Sequence, residues 1–587
     1  ANAPETGPTG PANLVVLFTV IVGSPSMAEI APLNVRSKGP SKVLLTNYGN
    51  VEFGSSVVTA GGGIVNYSTI TVAAGNTLNV SAPTGLDNEA TLLLSGGTVG
   101  GSGPIANYGV VSGNGTIGGT GGFINFGQVT ANGVLALLGT SGAISNVGQI
   151  DVPSGSQLRL GSNPLQNTGT LNLGGGFVSS GSLSNLAGGT ITGHGTIGSL
   201  LGTSSGNIVV SEGTLNIVNA MTNAGAIQVG GLTATLVGAT ITNSGTLQGF
   251  GTIANVIGNT TGSVEAVGGT LILSGAGSTS GGLIASSNGN KVLFTKGLAS
   301  NAGTISLTGG TFDNGGNAIS NTGQISGYGT FRSGGLTNNG SITLTGGTTT
   351  VNGNVTNAAT RKVEVRYTPA IFTGTFTNNG IFKNTSAQVT FSGTYIENGT
   401  FLSDPADNFF QDAVIGVGGV WSGGLGDRFF VAGNLLNGST AKKAWGTAAA
   451  ELDFVGGGAH LFGAAGSDLG ISFDGYEDNF AWGRLVLGAG DSLAIEGEAV
   501  YVGVLDLKGG VEQISSISGD GNIYYDLREP GNAYLEGKSY ALAGGGMVVA
   551  VPEPGSVAGA VLMMGLCTRR RRWGKPHPTG KRAGVRA

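Results

Sequence analysis

Residues able to do chemistry are few in this chain, with 3 His and 1 Cys among 587 residues, so thiolate and histidine-rich metal sites have little material. His194 lies in Gly193-His194-Gly195, where an imidazole could serve as a general acid or base on a glycan. Glycan hydrolysis also needs a carboxyl pair, and no Asn-Thr-Asp, Asp-Asp or Arg-Ile-Lys accompanies it. The fragment recurs around Asn114, Phe250 and Tyr328, a tolerance expected of a solvent-facing turn position. His460 and His577 are isolated, and no His-Glu-x-x-His, Gly-x-Ser-x-Gly or P-loop is present. Asp474, Glu477 and Asp478, with Asp468 nearby, form the densest acidic cluster and could offer oxygen ligands to Ca²⁺. They lack the spacing of a calcium loop, so a solvated acidic loop is the preferred reading. No cofactor and no enzymatic activity are expected. The alternative is a polysaccharide-active β-helix enzyme, lyase or glycosidase, with its site among the C-terminal acids.

The element that would position any such residues is a repeat. Asn-x-Gly-x followed by an apolar residue begins at Asn47, Asn125, Asn146, Asn167, Asn223, Asn243, Asn301, Asn321, Asn338 and Asn378. Looser starts at Asn66, Asn88, Ser204, Thr260 and Ser280, together with Asn107, Asn185, Asn357 and Asn398, make nineteen between residues 47 and 398, spaced 17 to 22 residues apart. Self-similarity at this period marks a solenoid. After each Gly the chain alternates, as in Ile150-Asp151-Val152 and Leu171-Asn172-Leu173, the pattern of a strand with one buried face. The expected fold is all-β: a single-stranded parallel β-helix of about 19 or more coils, followed by less regular C-terminal β coils and a short hydrophobic helix. Asn and Gly at the coil start are expected to supply positive φ for a corner, and stacked Asn side chains to bond into an internal ladder. Threonine-rich stretches such as Thr240-Ile241-Thr242 read as polar strand faces, too irregular for a continuous array.

Composition agrees. There are 114 Gly without an every-third-residue register, which excludes collagen, and 39% hydrophobic residues with mean hydropathy +0.21 disfavour disorder. Residues 47–398 carry 9 acids against 8 bases, and residues 399–550 carry 19 against 7. Neither balance suits nucleic acid, which demands clustered cations. In the acidic section the Asn-Gly register is lost while strand character persists. We read it as further coils, with a separate β-sandwich as the alternative, and its Trp421, Trp445, Trp482, Tyr524 and Tyr525 as core.

The ends carry address signals. Leu14 to Val22 is apolar and is followed by Gly23-Ser24-Pro25 and Ser26-Met27-Ala28, the pattern of a secretory signal peptide cut after Ala28; a buried first strand is the alternative. Near the other end, Pro552-Glu553-Pro554 precedes an apolar stretch, Val557 to Thr568, and then Arg569, Arg570, Arg571 and Arg572. Two prolines keep Glu553 extended, and the arginines would hold the apolar segment's end on the cytoplasmic side of a membrane.

This last order of motifs resembles the PEP-CTERM sorting signal, and Asn479-Phe480-Ala481-Trp482-Gly483 looks like the region preceding it in planctomycete-type members. Val267-Gly268-Gly269-Thr270-Leu271-Ile272-Leu273-Ser274-Gly275 resembles repeats of autotransporter β-helical passengers. The PEP-CTERM resemblance implies export through the Sec machinery and transient inner-membrane insertion. It further implies recognition by an exosortase, with cleavage near Pro552–Pro554. Delivery would be to the envelope, outer surface or extracellular matrix of a Gram-negative-type bacterium, where exopolysaccharide or other surface glycans are the implied contacts. The expected organisation is a signal peptide (1–28), an N-terminal cap (29–46), the repeat β-helix (47–398), an acidic β region (399–550), the sorting signal (551–572) and a basic tail (573–587). The expected role is structural or adhesive.

Overall fold

The computed structural model describes residues 63–80 and 85–553 in full, together with the backbone of strands Leu14–Val16, Leu45–Asn47, Val51–Phe53 and Val57–Ala60. The protein is all-β, a parallel β-solenoid of about 23 turns counted over two compact units, Ala1–Gly393 and Thr394–Ala587. Helix among the described residues is confined to three short 3₁₀ turns, Phe473–Tyr476, Val511–Ser516 and Pro530–Leu535.

One coil of the first unit shows the plan. A three-residue strand, Ile144–Asn146, ends in a tight turn at Val147-Gly148, and Gln149–Pro153 and Gln157–Leu160 complete the circuit. The next coil repeats it in register, with Ile144 beside Leu165 and Asn146 beside Asn167. Period-2 alternation sends Ile150, Val152, Leu158 and Leu160 inward, where each is at most 2% exposed. Each such aliphatic side chain contributes about 1.5–3 kcal/mol by leaving water. Near residues 372–391 the aliphatics give way to Phe372, Phe376, Phe382 and Phe391, whose rings lie 4.9–5.9 Å apart.

The corner glycine is needed for a reason other than the expected one. Among the described residues neither the repeat Asn nor the Gly two residues on has positive φ. A Cβ at Gly148 would sit 2.1 Å from the Gly127 carbonyl oxygen, and one at Gly127 2.2 Å from that of Gly109. Coils approach too closely there for any side chain. Positive φ occurs instead at the Gly-x-Gly fragments, for example Gly249 (117°) and Gly251 (126°), where the strand register shifts. These fragments are therefore bulges that bend a long strand rather than loop turns. Their central residues Asn114, His194, Phe250 and Tyr328 are half-exposed or exposed.

The second unit keeps the parallel ladder without the repeat. Arg428–Val431, Glu451–Phe454, Trp482–Leu487 and Ala499–Leu507 pair successively in parallel, which is a solenoid and not a sandwich. Trp421, Trp482, Tyr501 and Tyr525 are fully buried, and Tyr524 is 5% exposed. Trp445 stacks on Trp421 at 6.3 Å. Residues 464–481 fold back over the outer side, where Phe473 and Tyr476 pack on Ala499, Tyr501, Tyr524 and Val551. The open edge of the Ala499–Leu507 strand is closed by side chains. Asn532 accepts from Leu505 N–H (2.9 Å) and donates to Gly503 O (2.8 Å), and the Tyr534 hydroxyl bridges Leu507 N–H and Leu505 O. A short strand, Tyr540–Ala541, pairs antiparallel with Met547–Val551 and ends the parallel pattern, protecting an edge that would otherwise template association.

Candidate functional site

The repeat asparagines occupy the solenoid interior. Each ladder Asn from Asn66 to Asn378 sits at the end of a short strand of two to four residues with its side chain inward and close to fully buried. Asn125 Nδ2 donates to Asn146 Oδ1 at 2.7 Å, and Asn146 Nδ2 donates to Asn167 Oδ1 at 2.7 Å. The other amide hydrogen reaches a backbone carbonyl of the next coil, as from Asn146 to Thr170 O at 3.0 Å. The first run extends from Asn66 to Asn185 and then to Ser204. The second joins Asn223, Asn243 and Asn259 and ends on Ser280; the third joins Asn301, Asn321, Asn338, Asn357 and Asn378. Asn223 and Asn301, which follow the two serines, each keep a buried Oδ1 without a partner. The ladder is thus a scaffold device with two faults. For Asn47 only the backbone strand is described.

Two positions fall one residue from where spacing put them. Asn259, not Thr260, joins the ladder, because Asn259-Thr260-Thr261-Gly262 carries an extra residue before the Gly. Glu397, not Asn398, takes the Asn place and is fully buried, accepting from the Tyr395 hydroxyl (2.6 Å) and Gly399 N–H (2.8 Å). Equivalence of Ile257-Gly258-Asn259 to the other short strands was the available signal for the first.

The calcium candidates do not converge. Asp474, Glu477 and Asp478 are exposed on a 3₁₀ turn and its exit, and among the described residues no group of three or more His, Cys, Asp or Glu is placed to hold a metal. Asp468 has a structural job, accepting from Tyr524 OH (2.7 Å), Gly470 N–H (2.8 Å) and Asn522 Nδ2 (2.8 Å). Burial alone would raise its pKa, but these hydrogen bonds hold it below the usual carboxylate range.

The chemistry that sequence reading left unassigned lies on the outer face of the second unit. One row runs Asp407, Arg428, Glu451, Arg484 across successive strands, and the adjacent row runs Phe409, Phe430, Asp453, Val486, Asp506. Arg428 grips Asp407 bidentately at 2.7 and 2.8 Å and lies 5.2 Å above the Phe430 ring, which stacks on Phe409 at 4.4 Å. Arg484 reaches Asp506 and, at 3.6 Å, Glu451, while Lys508 bonds Asp506 at 2.6 Å. Burial works against Asp506, but hydrogen bonds from Arg484 and Lys508 keep it ionised with a lowered pKa. Asp453 has no such donor. Its Oδ1 is buried and unpartnered, and burial first, then repulsion from Glu451, pushes its pKa up to about 6. One carboxyl with a raised pKa thus lies two strands from another that stays charged, with Val486 between them, two carboxyls whose environments push their pKa values apart.

Pro552 and Glu553 follow directly on the last parallel strand, half-buried and exposed respectively. Pro554, Arg569 to Arg572 and the expected hydrophobic helix lie outside the described residues, as does most of the expected signal peptide. Within that peptide the backbone strand Leu14–Val16 pairs in parallel with Leu45–Asn47. Among the described residues no helix is long and apolar enough to cross a membrane. The fold and its interior define a parallel β-solenoid repeat protein. No protein-family model, curated protein or solved structure matches the chain.

Proposed function

We infer that the chain is an exported, non-enzymatic β-solenoid acting as a structural or adhesive component of a bacterial surface or matrix. The observation that carries this reading is the ladder-held, nearly uncharged repeat: its internal polar groups serve the scaffold, and its length is built from equivalent coils. Sorting would use Pro552, Glu553 and Pro554 with Arg569 to Arg572, read by an exosortase after Sec export. The exposed Glu553 next to an ordered strand supports access to that segment. The test is fractionation of the native host with Pro552 to Pro554 intact or replaced by Ala, with the mature C-terminus located by mass spectrometry. Surface location should be lost on replacement; unchanged location, or a mature chain retaining Arg569 to Arg572, sinks the sorting proposal.

A second reading is favoured by one observation, the protonatable Asp453 in one row with ionised Asp506, across Val486, and with the Phe409–Phe430 stack. It assigns polysaccharide cleavage to that face. Incubating the purified protein and its Asp453→Asn variant with acidic and neutral polysaccharides separates the two readings. Oligosaccharides released only by the unmodified protein would end the structural one.

A further inference from the structure

The outward side chains of the first unit form a surface the sequence did not reveal. Strand register aligns two outward positions per coil over fifteen coils, one column from Thr69 to Ser341 and the other from Thr71 to Thr343. Threonine alone is irregular along them. Within these fifteen coils Thr, Ser, Gln and Asn together dominate both columns, and the only charged members are Asp151 and Glu265; the next coils carry the same columns into Lys362, Glu364 and Lys383. Asp151 is already held by Gln128, Gln149 and Asn172.

Beside the first column, at the residue after each ladder Asn, the corner carries exposed apolar groups in the early coils. Tyr108 (50% exposed) and Phe126 (44%) stack at 5.0 Å with Val147 (50%) in the following coil, and Tyr67 and Leu186 stand further along the same corner. Solvated sheet faces ordinarily carry Lys and Glu, which keep copies apart. This face carries no Lys and a single Glu, Glu265, and the repeat region around it is close to neutral, with 9 acids against 8 bases.

We propose that this face is where a second copy of the chain docks, so that solenoids associate side by side through their uncharged columns and apolar corner. Three features favour a second copy. Two such faces bring no like charges together apart from the isolated acids, near-zero charge promotes association, and flat in-register polar columns pack well against their own kind. The area is also adequate. Fifteen coils at about 4.8 Å, and a strip about 10 Å across, offer on the order of 700 Å² per copy, close to the ~800 Å² of a standard interface. The acidic 399–550 section, with 19 acids against 7 bases, opposes contact through its own surface. The inference deepens the structural reading and rests on it for its biological setting.

The test uses the full chain in sedimentation experiments at low ionic strength. Two triple variants place charges on the first column: Gln128→Lys/Thr170→Lys/Thr246→Lys and Gln128→Glu/Thr170→Glu/Thr246→Glu. Matching circular dichroism and melting curves establish that both are folded. The unmodified chain should associate reversibly, each variant alone should associate about tenfold more weakly or worse, and an equimolar mixture of the two should regain association. Variants that associate like the parent overturn the proposal, since contact through any other segment ignores this face. A parent that stays monomeric overturns it too, including one that binds a neutral glucan such as dextran instead. Failure here leaves surface location open to the fractionation test, and a wrong location leaves association measurable in solution.

Discussion

Repairing a fault in the asparagine ladder should stabilise the protein locally. Ser204 accepts from Asn185 Nδ2 at 3.0 Å but offers nothing to Asn223, whose Oδ1 is buried without a partner although the two residues are register neighbours. Asn at 204 would present an Nδ2 where intact Asn–Asn rungs measure 2.6–2.9 Å, and a second hydrogen towards the Ala226 carbonyl, as Asn146 does towards Thr170. Satisfying a buried orphan acceptor recovers about 1–3 kcal/mol. Ordering the longer side chain costs back ~0.5–1 kcal/mol, leaving a net gain of about 1–2 kcal/mol. Because repeat stability is a sum of local and nearest-neighbour contributions, the readout should be local: native-state hydrogen exchange of the amides in Thr203–Ser204 and Met221–Asn223. Ser204→Asn should slow these about 5- to 30-fold and leave distant coils unchanged. Asn146→Ser should do the reverse around Asn167, whose Oδ1 loses its rung. Unchanged or faster exchange in Ser204→Asn would show that the rungs add nothing net, or that the coil is too tight to accept the amide.

Three further outcomes are expected. Asp453 has a folded-state pKa of about 6, above the ordinary carboxylate value, so the folded state binds the extra proton. Its contribution is fully favourable below about pH 4 and is lost as pH rises through 6. Asp453→Asn should therefore flatten stability across that window and stabilise the protein at pH 7 by ~1 kcal/mol, a figure discounted for partial solvent access, as denaturant titrations at pH 4.5 and 7.5 would reveal; no difference between the two pH values would refute it. Gly148→Ala places a Cβ 2.1 Å from the Gly127 oxygen and should cost several kcal/mol, seen as proteolytic nicking around residues 125–170. Gly155→Ala, with φ +77° but nothing within 4 Å, should cost only about 1–2 kcal/mol.

Legibility of the chain followed the strength of its period. Nineteen spaced starts and alternating Ile, Val and Leu were sufficient to specify parallel coils, because a period-2 apolar pattern with a fixed corner has few other solutions. The internal ladder was readable too, since identical residues at one coil position must stack. The reason for the corner Gly was not. Composition cannot distinguish a residue chosen for positive φ from one chosen because a neighbouring carbonyl occupies the place of its Cβ. Nor was the Asp453 row visible. Asp453, Val486 and Asp506 are brought together by coils of unequal length, 33 and 20 residues apart in sequence, where no fixed spacing exists to follow.

The two surfaces also divide the constraints on the sequence. Inward positions are tied three ways, by aliphatic packing, by the amide ladder and by coil contact at the Gly, so Asn146 or Gly148 cannot change alone without an orphaned donor or a clash. Outward positions answer only to strand propensity, which favours Thr and Val and admits Lys or Glu at modest cost. Their near-complete lack of charge over fifteen coils therefore does not follow from the fold. The second unit makes the point by contrast: the same kind of outer face, on the same kind of parallel strand, carries Asp407, Arg428, Glu451, Arg484 and Asp506 in alternating ion pairs. A β-solenoid accommodates a charged face readily, so the bare face of the first unit calls for an explanation outside the coil, and contact with another uncharged surface supplies one.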